Sequence, residues 1–145
     1  ARVVAENPRD GHTAAVMGMA RLIERERLGA LLTMPGDIPG TTSAEVNAVV
    51  SACLPAPSFA IAPAHDELGS NAVLCSPPGS VPLRFGDDSF FPHLIAARAQ
   101  GLAPVVVRVP GIGLDIDNPV DLRAFMRSPV SARTRTRAFL ARLGL

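Results

Sequence analysis

An α/β fold, built on a mostly parallel sheet with helices on both faces, is the class that this 145-residue sequence predicts. Three observations carry that expectation. Short apolar runs recur along the chain, segments with a helical apolar period lie between them, and Pro- and Gly-rich turns separate the two. Nothing divides the chain further, so residues 1–145 are expected to form one domain, long enough to bury about 70% of its unfolded surface.

The elements follow in order. Residues 3–6 suit a short strand, closed by Asn7-Pro8-Arg9-Asp10-Gly11. Residues 13–27 place Val16, Met19, Ala20 and Ile23 at helical spacing. The run 30–34 is apolar, as expected of a strand covered on both faces, and Pro35-Gly36-Asp37-Ile38-Pro39-Gly40 ends it. Thr42 or Ser43 suits the cap of a helix that carries Glu45 in its first turn. Strands are expected at 59–62 and 71–75, on either side of a polar loop. A helix is expected from Ser89 to about Gln100, stopped by Gly101. A β-branched strand at 104–109 and a helix opened by Pro119 complete the pattern. The Arg-rich end, 133–137 with Leu140 and Leu143, reads as the wet face of a last helix.

Composition narrows the function. Hydrophobic residues make up 48% and charged ones 19%, a globular balance. A net charge of +1 and an aromatic content of 4%, without Trp or Tyr, argue against nucleic-acid binding. No apolar run approaches the ~20 residues that span a bilayer, so a membrane is not an expected partner and a cytoplasmic setting is. Cys53 and Cys75 stand apart and read as small buried hydrophobes. His12, His65 and His93 have no Cys or carboxylate at ligand spacing and read as surface or loop residues. No GxSxG, HExxH, Walker or GxGxxG motif is present, which removes support from the corresponding hydrolase, protease, P-loop and dehydrogenase readings.

Residues just beyond strand ends are the ones to question, because ligands of such sheets sit there. Asp37 lies three residues past an apolar run, in a loop stiffened by Pro and Gly; it suits either a turn cap or a carboxylate aimed at a ligand. Asp115-Ile116-Asp117-Asn118-Pro119 follows the strand at 104–109, and alternation puts Asp115 and Asp117 on one side. One of these groups can cap the Pro119 helix, but three exceed that need. Carboxylates from two strand ends suit a hard divalent cation, Mg²⁺ above all, completed by water and phosphate. Gly69-Ser70-Asn71 and Arg84-Phe85-Gly86-Asp87-Asp88-Ser89 form a third group, either an ordinary glycine turn and helix cap or an anion site using backbone N–H groups.

The order of these segments resembles the 2-phospho-L-lactate guanylyltransferase family, within the MobA-like nucleotidyltransferases. That family shows, in sequence, a "GD(I/L)P" loop, a "GTNAL" strand entry, an "RFGxxSF" turn and a "DIDTPxDL" ending. Their counterparts are Gly36-Asp37-Ile38-Pro39, Gly69-Ser70-Asn71-Ala72-Val73, Arg84-Phe85-Gly86-Asp87-Asp88-Ser89-Phe90 and Asp115-Ile116-Asp117-Asn118-Pro119-Val120-Asp121-Leu122, across residues 33–122. The resemblance implies a Rossmann-like nucleotide-diphospho-sugar transferase fold. It also implies transfer of GMP from GTP to 2-phospho-L-lactate, phosphoenolpyruvate or 3-phospho-D-glycerate, with release of pyrophosphate, on the route to coenzyme F420.

Carried over residue by residue, Asp37, Asp115 and Asp117 would be the catalytic, Mg²⁺-holding acids. Asn71, Gly86 and Ser89 would bind the acceptor acid. Gly11, Thr13 and Ala14 would lie against the nucleotide, in a segment resembling the family's "GLNAAL". His12 and Thr13 depart from that pattern, and Ser70 replaces a Thr. The resemblance further implies that the domain's first βαβ unit, with one further strand and helix and roughly 60 to 70 residues in all, precedes Ala1. A homo-oligomer is a partner expectation left open. Two other readings fit the residues: a MobA-like transferase using another nucleotide and acceptor, and a non-catalytic metabolite-binding module.

Overall fold

A computed structural model describes residue 4 and residues 11–53, 55–86 and 88–145. The strand expected at 3–6 falls, apart from Val4, outside the described residues, as does most of the turn at 7–11. The elements run α1 (Gly11–Arg25), β1 (Leu31–Thr33), α2 (Ser43–Ala52), β2 (Ser58–Pro63), β3 (Ser70–Ser76), α3 (Phe90–Ala99), β4 (Val105–Val106), α4 (Pro119–Arg127) and α5 (Arg135–Arg142), with a 3-10 turn at Pro129–Ser131. Each expected element in the described region is present, with ends shifted by a few residues.

The sheet departs from the expectation. Its order is β1-β3-β2-β4, and only the β2–β4 pairing is parallel; β3 runs antiparallel to both of its neighbours. β1, β2 and β4 share a direction, but β3 is inserted between two of them, so the sheet is mixed rather than mostly parallel. The cause is the connection between β2 and β3. The segment 64–69 holds no helix, and a parallel return needs a crossover of about a dozen residues or more. The chain can only turn back on itself.

Period-2 alternation along β2 and β3 sorts the core into two layers. Phe59, Ile61, Val73 and Cys75 face α1 and α3, meeting Val16, Ala20, Phe90, Leu94 and Ala97. Ala60, Ala62, Ala72 and Leu74 face the other way, onto Val49 and Cys53 at the end of α2. Helices therefore cover both faces, as expected. Three of the four strand residues on the second face are alanines, and the loop residues Ile38 and Ile112 pack there. The small side chains let two loops approach the sheet closely, and those loops carry the acidic residues. Both cysteines are buried and free, and burial pushes the Cys75 thiol up to about 12.

Candidate active site

Two loops are locked together beneath the acids. Gly40 and Gly111 lie backbone against backbone, and a Cβ at Gly111 would collide with the Gly40 carbonyl and the Glu45 carboxylate. Glu45 serves two ends of this junction. It completes the capping box of α2, accepting from the Thr42 N–H at 3.0 Å, and it accepts from the Gly111 N–H at 2.6 Å. Ile38 and Ile112 anchor the two loops in the core, and Asn71 Nδ2 donates to the Ile112 carbonyl at 2.9 Å. Beyond the junction the Ile116 N–H donates to the Asp37 carbonyl at 3.1 Å. Ile116 lies between Asp115 and Asp117, so that bond brings all three carboxylates to one place.

Local structure leaves those carboxylates free of capping duty. Asn118 caps α4, accepting from the N–H groups of Val120 at 2.8 Å and Asp121 at 3.3 Å. Asp121 completes the box by accepting from Asn118 N–H at 3.1 Å. Asp115, Asp117 and Asp37 instead line one cleft of about 280 Å³, together with Asp66, Ser70, Asn71, Gly86 and Ser89. Partial desolvation, then the carboxylates of Asp115, Asp37, Asp121 and Asp66, push the Asp117 pKa above its ordinary value. Among the described residues, no group of three or more His, Cys, Asp or Glu side chains is arranged to hold a metal ion.

That electrostatic crowding has a measurable consequence. A raised folded-state pKa means the folded protein holds the Asp117 proton more tightly than the unfolded chain does. The associated stability is present below the ordinary carboxylate range and is lost as pH rises through the folded pKa. Asp117→Asn should therefore raise the metal-free melting temperature at neutral pH by about 1–2 °C. The gain should vanish in acid, where the carboxylates are protonated; a thermal melt at the two pH values checks both.

The rest of the cleft is lined by hydroxyls and a turn. Ser89 stands at the start of α3 but makes no side-chain cap bond; its hydroxyl donates to Ser70 Oγ at 3.0 Å. Ser70 Oγ also lies 3.0 Å from His93 Nδ1, and His93 Nε2 lies 3.0 Å from the Arg84 N–H. His93 is 1% exposed, and burial lowers its pKa to about 4. The turn at 84–86 is held from the other side by Thr13, whose Oγ1 accepts from the Phe85 N–H at 2.9 Å and donates to the Phe85 carbonyl at 3.3 Å.

One expectation is corrected here. His93 is neither a surface nor a loop residue: it faces inward on α3, because its polar ring atoms find partners in Ser70 and Arg84. His12 and His65 are exposed, as expected. Of the two readings of the 84–89 stretch, the anion site finds no support in the N–H groups of Ser89 and Phe90, which both donate to the Leu68 carbonyl at 2.9 Å. Pro92 has no N–H to offer. The Ser70 hydroxyl, rather than the N–H groups of Ser89 and Phe90, is left to donate at this end of the cleft.

The structure brings Asp37, Asp115, Asp117, Asn71, Gly86 and Ser89 around one cleft. It does not bring Gly11, Thr13 or Ala14 into the lining; His12 represents that segment, with its ring 4.6 Å from that of Phe85. Sequence reasoning passed over Asp66, which stands past a strand end just as Asp37 does. Its Oδ1 accepts from the Leu68 N–H at 2.9 Å and shapes the loop after β2.

The family described as "Guanylyl transferase CofC like" matches residues 1–145. The chain belongs to the CofC-like guanylyl transferase family. Among its CofC-like relatives is a phosphoenolpyruvate guanylyltransferase of Rubrobacter xylanophilus, 39% identical over 105 residues, covering 72% of this chain and 51% of the relative. A 3-phospho-D-glycerate guanylyltransferase of Colwellia psychrerythraea is 34% identical, covering 83% of this chain and 58% of the relative. A phosphoenolpyruvate guanylyltransferase of a Roseiflexus species is 33% identical across 98% of this chain and 71% of its own length. The chain thus spans little more than half the length of the first two relatives. In fold, the CofC-like chain is similar to a crystal structure of a proposed nucleotide-diphospho-sugar transferase from Desulfovibrio desulfuricans G20. The TM-score is 0.73 at 19% identity, over 91% of this chain and 59% of the other. No described helix is long and apolar enough to cross a membrane.

Proposed function

We propose that the protein carrying this chain transfers GMP from GTP to the phosphate of a small phosphorylated acid: 2-phospho-L-lactate, phosphoenolpyruvate or 3-phospho-D-glycerate. A phosphate oxygen of the acid attacks the α-phosphorus of GTP, the bond from that phosphorus to the oxygen bridging to the β-phosphorus breaks, and pyrophosphate leaves. The observation that carries this reading is the meeting of Asp37, Asp115 and Asp117 with Ser70, Gly86 and Ser89 around one cleft. The names of the phosphoenolpyruvate and phosphoglycerate relatives support the same chemistry, and the product would serve coenzyme F420 assembly.

The attacking phosphate oxygen is already anionic, so no general base is needed; positioning and charge neutralisation are the demands on the protein. The cleft offers groups for both. In this reading Asp37, Asp115 and Asp117 hold Mg²⁺. Their hard oxygen donors suit such an ion by chemistry and are crowded enough to raise the Asp117 pKa, but among the described residues no three side chains are arranged to hold a metal, so water and phosphate would have to complete the site. When bound, the ion neutralises phosphate charge and aligns the displacement. Ser70 and the Gly86 backbone then receive the carboxylate and phosphate of the acid, with Ser89 at the cleft wall holding Ser70 through its hydroxyl. Asn71 keeps Ile112 and the acid loops in register through its amide, and its cleft-lining edge is available to the acid. His12, Gly11, Thr13 and Ala14 would border the nucleotide.

Pyrophosphate release tests the reading. The full-length protein is incubated with Mg²⁺, GTP and each of the three acids in turn. Turnover that requires both GTP and an acid is expected; turnover with CTP instead of GTP, or ligand protection against melting without turnover, would overturn it.

A further inference from the structure

The buried His93–Ser70–Ser89 chain is more than packing requires. An N–H group can only donate, so the Arg84 N–H, 3.0 Å from His93 Nε2, fixes that nitrogen as an acceptor. A neutral imidazole has one proton, which must then sit on Nδ1 and be donated to Ser70 Oγ at 3.0 Å. Ser89 donates to the same oxygen at 3.0 Å. Both acceptor positions of Ser70 Oγ are filled, and no described protein group accepts the Ser70 proton. Ser70 is among the residues that line the cleft, which gives its proton the cleft as an outlet. The nearby N–H groups of Ser89 and Phe90 are spent on the Leu68 carbonyl, which leaves this hydroxyl as a principal donor there.

We propose that His93 is a positioning residue for the phosphorylated acid, holding Ser70 so that its hydroxyl can only donate into the cleft. The same ring ties the 84–86 turn to α3, so a single side chain sets both the hydroxyl and the Gly86 backbone. This inference rests on the guanylyl-transfer reading for the identity of the ligand, but the arrangement itself can be tested without it.

Two measurements decide it. Long-range ¹⁵N–¹H correlation on the full-length protein near neutral pH should show His93 protonated at Nδ1; protonation at Nε2 would overturn the proposal whatever the enzyme does. The second is a double-mutant cycle with Ser70→Ala and two His93 variants. Asn places its amide donor where Nδ1 stood, whereas Gln places its amide where Nε2 stood. H93Q should raise the KM for the acid by about tenfold, the scale of one hydrogen bond to a charged group, while the KM for GTP changes far less. H93N, which keeps the donor to Ser70 and gives up only the acceptor for the Arg84 N–H, should raise the KM for the acid less than H93Q does. In the Ser70→Ala background H93Q should add nothing. Additive losses, or equal changes in both KM values, would contradict the proposal. If the wild-type protein turns over GTP with none of the acids, the guanylyl-transfer reading fails instead, and the tautomer measurement still judges His93.

Discussion

Replacing Asp37 by Asn in the full-length protein is expected to lower guanylyl transfer by about 10²- to 10³-fold, the scale of losing one preorganised charge-stabilising group. Folding should survive. The Asp37 side chain is exposed and makes no described hydrogen bond; its part in the junction is played by its backbone carbonyl, which the substitution keeps. Circular dichroism melts should therefore stay close to wild type while the pyrophosphate-release rate collapses. The loss should also be relieved in part by raising Mg²⁺, because two neighbouring carboxylates remain. A variant that kept wild-type rates would remove Asp37 from the metal assignment.

Gly111→Ala is expected to be more damaging than the same change at Gly40 or Gly36. Its Cβ would meet the Gly40 carbonyl and the Glu45 carboxylate, both held by the junction itself. The cost should reach about 3 kcal/mol, the upper part of the range for overpacking, because backbone cannot swing aside. In a domain of this size that is a fall of about 6–12 °C in melting temperature. Gly40→Ala should cost less, since its nearest new neighbour, at 3.0 Å, is the Val130 side chain. Gly36→Ala, with nothing within 4 Å of the added carbon, should be nearly silent. Activity should fall with stability at Gly111, because the same contact holds the Asp37 loop against the segment bearing Asp115 and Asp117. Equal melting temperatures for the three variants would contradict this account of the junction.

Much of the site was legible because local chemistry carried it. Thr42 with Glu45, and Asn118 with Pro119 and Asp121, are helix starts readable over four residues, and they form as capping boxes. The three acids were picked out by position, Asp37 just past a strand end and Asp115 and Asp117 beyond the glycine turn that follows β4, and the same rule would have found Asp66 as well. The direction of β3 was legible too, from the helix-free 64–69 connection, but strand–helix alternation elsewhere outweighed it. What could not be read were long-range partnerships. Glu45 is 66 residues from the Gly111 N–H that it accepts from. His93 is 23 residues from Ser70, and Thr13 is 72 from Phe85. No local pattern distinguishes an isolated histidine on a helix from one that is buried and hydrogen-bonded at both nitrogens. The blocked start of α3 is the same kind of case, since the Leu68 carbonyl arrives from another loop.

Crystals of the full-length protein soaked with Mn²⁺ and a GTP analogue that resists transfer would test the central claim most directly. The anomalous signal of manganese locates the ion without reference to any assumed role. The account predicts a peak in coordination contact with Asp37 and with at least one of Asp115 and Asp117, on the side of the cleft open to Ser70 and Ser89. A nucleotide bound with its metal away from all three carboxylates would contradict it.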